Sequence, residues 1–262
     1  IVNEDCGSFN VKNSLVSTGT SNLFISNSDT AITRLTRVTD SNSSNCGQIS
    51  IDISSPTVKL AGLFYSSDVY SLTQPSAGNK PKLLKWKASN LSLEGNQPLI
   101  DDEDITDFGS FIIKNSKIYI TDRSLETGNR VKLFYTDGNP YTESAYSFKK
   151  PYGIVDSGTK LFVSDTTDNK IVTLDLDGND EEQMVSVPSP YGIVYSSTSK
   201  RIYAASTNAI YVIDSNNFEV LYSFDAAEGA RNLTICGTGN ISDLYVSFTS
   251  GKIVRFRSGF TW

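Results

Sequence analysis

The sequence contains no histidine, the side chain that most often serves as a general base or as a transition-metal ligand. It has three cysteines, Cys6, Cys46 and Cys236, so at most one internal disulfide is possible and one thiol is left over. Spacing does not choose among the pairs; we favour Cys6 with Cys46. No apolar run approaches the roughly 18 residues that a membrane helix needs, so we predict no membrane insertion.

The usual catalytic signatures are also missing. The sequence has no Gly-x-Ser-x-Gly elbow, no His-Glu-x-x-His, no Cys-x-x-Cys and no Walker loop. The glycines that follow Cys236 lack the third glycine and the following helix of a dinucleotide site. We therefore predict no catalytic residue, no metal site and no cofactor.

The charges are scattered, with 23 Lys and Arg against 29 Asp and Glu and a formal net charge of -6. Nonspecific binding of phosphates requires a concentrated basic face. The sequence therefore predicts a protein that does not bind nucleic acid.

A repeat organises the chain. An aliphatic residue followed directly by an aromatic one recurs six times inside short strand patterns, about 41 to 49 residues apart, which is the length of a four-stranded propeller blade. The six pairs are Leu23-Phe24, Val69-Tyr70, Ile118-Tyr119, Leu161-Phe162, Ile202-Tyr203 and Leu244-Tyr245.

Strand geometry explains the paired residues. Neighbouring side chains of a strand point to opposite faces of the sheet, so each pair requires both faces to be apolar, as they are when blades stack on one another. No segment has helical spacing of apolar residues over three turns. We predict one all-β domain over residues 1–262, a six-bladed β-propeller with four antiparallel strands per blade. Residues 1–11 are expected to supply the missing outer strand of blade six, which closes the ring.

The stretch Pro151–Leu176 carries a family resemblance. Its segments Pro151–Asp156, Leu161–Asp165 and Asn169–Ile171 are similar to the repeat of NHL-type propellers, and more loosely to YWTD and YVTN repeats. Ser164 replaces the usual alanine, and a lysine replaces the usual arginine of the third segment. The resemblance implies a six-bladed propeller; it implies no active site, because the repeated residues are those that build blades.

Candidate site residues lie where the repeats differ or where an aromatic residue precedes a glycine at the start of an innermost strand. Such residues would surround one mouth of the central channel and stack on a sugar or hold a peptide. Alternatively, the glycine permits a tight turn and the aromatic residue wedges between blades. The candidates are Phe108, Arg123, Lys150, Tyr152, Tyr191 and Arg231.

Two other segments have structural explanations. Asp122 and Asp165 end equivalent strands. Their carboxylates could face the channel and serve a metal or act as a general base, but such residues more often accept hydrogen bonds from the backbone amides of their own loop. The acidic stretch 101–104 is predicted to be a solvated connection between blades two and three.

We predict a secreted protein of the extracellular space or cell surface, which fits a chain that begins at Ile1 without methionine. Four Asn-x-Ser/Thr triplets permit, without establishing, glycosylation; they begin at Asn42, Asn90, Asn232 and Asn240.

The sequence favours a non-catalytic module that binds protein or glycan ligands. A first alternative is an enzyme resembling gluconolactonase-type propellers, which hold a divalent metal in the channel with carboxylate and amide ligands. The innermost strands offer few carboxylates beyond Asp156 for such a site. A second alternative is a structural subunit that forms homo-oligomers or polymers through blade edges or a shared terminal strand.

Overall fold

In the computed structural model, the described residues are 60–256, apart from 74–79, 91, 96–97, 103, 125–128, 227–228 and 239–240, together with five strands before residue 60. Side chains are described from Leu63 to Phe256, with further gaps at 180–182 and 236–242. None of these residues forms a helix that could cross a membrane.

The described strands form six four-stranded antiparallel sheets. Sheet by sheet, they are β2 (Ser14–Ser17), β3 (Asn22–Ser28), β4 (Thr33–Thr39) and β5 (Gly47–Ile53); β6 (Leu60–Tyr65), β7 (Val69–Thr73), β8 (Leu83–Trp86) and β9 (Leu93–Glu94); β10 (Phe108–Lys114), β11 (Lys117–Asp122), β12 (Val131–Tyr135) and β13 (Pro140–Glu143); β14 (Pro151–Asp156), β15 (Lys160–Asp165), β16 (Lys170–Asp175) and β17 (Asp180–Ser186); β18 (Ile193–Ser196), β19 (Arg201–Ala205), β20 (Ala209–Asp214) and β21 (Glu219–Asp225); and β22 (Ala230–Thr238), β23 (Ile241–Phe248) and β24 (Lys252–Phe256) with β1 (Asn3–Ser8).

Five sheets each consist of four consecutive strands, and the sixth combines the last three strands with β1. The first strands of the sheets contact one another in a closed cycle that runs β2, β6, β10, β14, β18, β22 and back to β2. This arrangement confirms the prediction of an all-β propeller with four-stranded antiparallel blades.

The composite sheet joins the two ends of the chain. Strand β1 pairs antiparallel with β24, with Asn3 opposite Phe256 and Ser8 opposite Lys252. Because β24 lies between β23 and β1, the N-terminal strand is the outermost strand of this sheet, as the sequence predicted.

In three of the pairs, Ile118-Tyr119, Leu161-Phe162 and Ile202-Tyr203, the two residues pack in clusters on opposite sides of their blade. Leu161 packs in the same cluster as Tyr119 and Leu133 of the preceding blade. Its neighbour Phe162 packs with Ile202 and the following blade. Both members of the pair are almost fully buried, which is the result expected when blades cover both faces of each sheet.

Glycines allow successive innermost strands to approach closely. A Cβ atom on Gly109 would lie 2.3 Å from the carbonyl oxygen of Tyr152. A Cβ on Gly153 would lie 2.7 Å from the carbonyl oxygen of Tyr191, and one on Gly192 would lie 2.6 Å from that of Arg231. The glycines therefore provide close contact between blades rather than the tight turn that the sequence suggested, since none of the three has a positive φ.

Hydroxyl groups on the second strands of the blades stabilise the same contacts between innermost strands through hydrogen bonds. The Thr121 Oγ1 accepts a hydrogen bond from the Ser110 amide at 2.8 Å and donates one to the Tyr152 carbonyl at 2.9 Å. In the next blade, the Ser164 hydroxyl accepts from the Gly153 amide and donates to a carbonyl of the following blade. Ser164, which departs from the NHL-type pattern, thus links two neighbouring blades through hydrogen bonds.

Replacing Ser164 by alanine should lower the free energy of unfolding by about 2 kcal/mol, because it leaves a buried amide and a carbonyl without partners. Urea unfolding followed by tryptophan fluorescence measures this change. Ser223→Ala on the exposed strand β21 is the matched control and should change stability by less than about 0.5 kcal/mol. Equal stabilities of the two variants would contradict the conclusion that the Ser164 hydrogen bonds stabilise the contact between blades.

In the acidic connection between the second and third blades, one carboxylate pairs with a buried lysine. The Asp102 carboxylate lies 2.7 Å from the Lys132 Nζ, and the Lys132 side chain is only 9% exposed. The buried Asp122 carboxylate lies 3.3 Å from the same ammonium group. The prediction of a purely solvated connection was therefore wrong for Asp102.

The predicted disulfide between Cys6 and Cys46 lies outside the described side chains. Two of the four glycosylation triplets, those at Asn42 and Asn240, also lie outside the described residues. Asn90 is exposed in the turn between β8 and β9, whereas Asn232 is partly buried in the innermost strand β22.

Candidate ligand site at the channel mouth

Four of the candidate residues form a continuous row at one mouth of the channel. The glycine contacts place Tyr152, Tyr191 and Arg231 at the same level of three successive innermost strands. Arg123 joins the row because it directly follows β11, whose end pairs with the start of β10. In order, the row is Arg123, Tyr152, Tyr191 and Arg231.

Arg231 forms one end of the row. Its guanidinium carbon lies 3.7 Å from the centre of the Tyr191 ring, a cation–π contact. Among the described residues, no carboxylate forms an ion pair with Arg231. The contact with the ring fixes the plane of the guanidinium group while its N–H donors stay unneutralised.

Arg123 forms the other end of the row and is already neutralised. Its Nη2 lies 2.7 Å from an oxygen of Asp107, and its guanidinium carbon lies 5.0 Å from the centre of the Tyr152 ring. Its buried Nε has no hydrogen-bond partner among the described residues. This arginine is therefore held in place from two sides.

The two tyrosines connect the arginines. Their ring centres are 5.4 Å apart and their planes meet at 89°, an edge-to-face arrangement. Burial raises the pKa of the Tyr152 hydroxyl, and the nearby guanidinium groups of Arg123 and Arg231 oppose this increase. The phenol is consequently a neutral hydrogen-bonding group at physiological pH.

Two other candidates are placed differently. Phe108 is 4% exposed and packs in the cluster between the second and third blades, with Leu72 and Ile105. The prediction that Phe108 lies at the mouth therefore needs correction: its side chain belongs to the core. Lys150 is exposed beside the row, and its backbone amide donates to Asp165 at 3.0 Å.

Asp165 organises the loops around the row, as the sequence predicted. Its fully buried carboxylate accepts hydrogen bonds from the amides of Lys149, Lys150, Thr167 and Asp168. In the preceding blade, Asp122 accepts from the amide and hydroxyl of Ser124. These aspartates support the rim and are not free to bind a ligand.

A narrow cavity of about 170 Å³ lies inside the ring. Its wall comes from five innermost strands and the residues beside them: 63–65, 110–112, 153–156, 192–194 and 232–234. Most of these side chains are apolar. The described carboxylate that lines the cavity, Asp156, is neutralised by Lys114 at 2.8 Å.

Sequence reasoning missed Asp107, which positions Arg123. Asp107 precedes the aromatic-glycine step at Phe108, and no repeat pattern distinguishes it from the acidic residues before it. No group of His, Cys, Asp or Glu suited to holding a metal ion occurs among the residues that the structure describes.

Comparisons with known proteins show the fold. No protein-family model and no curated protein sequence matches the chain. Among solved structures, one similar chain belongs to a nidogen/laminin complex, with a TM-score of 0.66 and 17% identity over 88% of this chain and 86% of that one.

Two bacterial proteins are similar over nearly their whole length. The aldose sugar dehydrogenase of Streptomyces coelicolor, in its PQQ-bound form, has a TM-score of 0.66 and 15% identity, and the match covers 97% of each chain. The putative glucose dehydrogenase of Thermus thermophilus has a TM-score of 0.63 and 13% identity, over 97% of this chain and 99% of that one. At these identities the likeness establishes a β-propeller fold and no activity.

Proposed function

We propose that the chain is a non-catalytic binding module, a single six-bladed propeller over residues 1–262 that takes a protein ligand at the channel mouth. The observation that carries this proposal is the row Arg123, Tyr152, Tyr191 and Arg231. It joins residues from four successive blades into one surface, which no single repeat needs for its own fold.

A protein ligand is favoured over a neutral glycan because arginine side chains already contact the faces of the two tyrosine rings. Sugars stack on exposed aromatic faces, but Arg231 lies over one face of Tyr191 and Arg123 lies over Tyr152. The two rings also meet edge to face. The groups left for a ligand are the N–H donors of Arg231, which suit peptide carbonyl and carboxylate groups.

An extracellular location agrees with this role. The exposed Asn90 belongs to an Asn-x-Ser triplet in the turn between β8 and β9, where a glycan would meet solvent. The similar chain of the nidogen/laminin complex comes from an assembly of two proteins, which is compatible with protein binding by a propeller. Self-assembly of this chain stays a separate outcome that light scattering would detect.

The proposal is tested with a displayed random-peptide library and a glycan array, each probed with the purified protein. We expect enriched peptides whose binding is lost in Tyr191→Ala and Arg231→Gln. Lys200→Gln removes an exposed positive charge in the turn between β18 and β19, at the opposite end of the ring, and should leave binding unchanged. Hits on glycans alone, or peptide binding that both mouth variants retain, would refute the proposal.

A further inference from the structure

The described cations at the mouth differ in whether they are already paired with a carboxylate. Arg123 is bound to Asp107 at 2.7 Å, and Lys149 is bound to Asp168 at 2.5 Å. Arg231 and Lys150 have no ion pair with the residues that the structure describes. With a formal net charge of -6 on the chain, two such cations suit a ligand with a single negative group better than a polyanion.

The guanidinium group of Arg231 is suited to a carboxylate. Its planar fork of N–H donors matches the two oxygens of a carboxylate, and charge-assisted hydrogen bonds of this kind are stronger than neutral ones. The Tyr191 ring, 3.7 Å away, fixes the plane of the fork before a ligand arrives. This preorganisation reduces the entropy lost on binding.

The cavity behind the mouth is suited to one apolar side chain. Its volume is about 170 Å³, and the apolar lining residues that are only partly buried include Phe64, Val155 and Val194. The pairing of Asp156 with Lys114 removes the charge that would otherwise disfavour a carboxylate nearby. Arg231 and the cavity wall are adjacent, since Asn232 and Leu233 follow Arg231 in the same strand.

We infer that the mouth recognises the carboxyl-terminal residue of a peptide, with its carboxylate at Arg231 and its apolar side chain in the cavity. A terminal residue presents both groups from one Cα atom, and its chain leaves the mouth in one direction only. An internal acidic residue would need an apolar neighbour for the cavity and room for the chain on both sides. This inference rests on the proposed function and names its ligand class.

Fluorescence polarisation with short labelled peptides tests the inference. The probe is fluorescein-Gly-Gly-Ser-Leu with a free carboxyl terminus, compared with its carboxyl-terminal amide, with the peptide ending in alanine, and with the amide of Gly-Gly-Ser-Asp. We expect the free leucine peptide to bind. Amidation should weaken binding roughly 10- to 100-fold through the lost charged hydrogen bonds, and alanine should weaken it at least about 10-fold through the lost apolar contact.

Variants of the protein assign the effect to Arg231. Arg231→Gln should weaken binding of the free acid as much as amidation does and should leave the already weak amide unchanged. Lys200→Gln should bind all four probes like the wild type, and circular dichroism checks that both variants are folded. Equal binding of the acid and the amide, tightest binding of the Asp amide, or no binding of any probe would overturn the inference. Library peptides that still need Arg231 would in that case leave the proposed function standing.

Discussion

Replacing Gly109 by alanine should lower the free energy of unfolding by about 3 kcal/mol or more. The new Cβ would lie 2.3 Å from the carbonyl oxygen and 2.6 Å from the Cα of Tyr152. Both atoms belong to the backbone of the neighbouring innermost strand, so no side chain can rotate away. The two blades must separate locally, which also strains the hydrogen bond from Thr121 to the same carbonyl.

Gly95→Ala is the matched control. Gly95 has a φ of +66°, and an added Cβ would meet no atom within 4 Å, so only the backbone cost of about 1 kcal/mol is expected there. Thermal unfolding followed by circular dichroism compares the variants, and a loss of about 3 kcal/mol corresponds to roughly 6 to 12 °C in Tm. If Gly109→Ala lost no more stability than Gly95→Ala, the close contact between blades would not be needed for stability.

The fold follows from the sequence because the repeat consists of the residues that face neighbouring blades. The pair Leu161-Phe162 already indicates that both faces of its strand are buried, and the two clusters on either side of the blade agree. The role of the glycines in the close contact between blades could not be predicted from the sequence. A glycine at the start of a strand is compatible with a turn or with close contact, and only the position of the next blade separates these explanations.

The candidate site was predictable in part. Arg123, Tyr152, Tyr191 and Arg231 stand out because they occupy equivalent or neighbouring positions of different repeats, which a ring brings to one mouth. Phe108 occupies the same position as Tyr152, yet it is buried, because Ile100 and Ile105 of the long connection before it pack in the same hydrophobic cluster. The repeats do not encode the packing of such a connection, so no pattern in the sequence separates Phe108 from the tyrosines.

Deleting residues 1–8 should lower the free energy of unfolding by about 4 kcal/mol, the largest loss that we predict. The deletion removes β1, whose pairing with β24 is the link between the two ends of the chain in the composite sheet. Each lost backbone hydrogen bond of such a ladder contributes about 1 kcal/mol. The edge of β24 also becomes open to pairing with another chain.

The effect of the strand itself can be separated from a general effect of truncation by adding it back. A synthetic peptide of residues 1–8, with Cys6 replaced by serine to prevent disulfide exchange, should raise the Tm of the truncated protein in a concentration-dependent way, because it binds the native state alone. A peptide of the same composition in scrambled order should have no effect. Size-exclusion chromatography should also show concentration-dependent association of the truncated protein through the open β24 edge. An unchanged Tm on truncation, or a rise in Tm with both peptides, would mean that β1 does not close the ring. A strand that holds the chain ends together must lower the Tm when it is deleted, and only a peptide with its own sequence should restore the Tm.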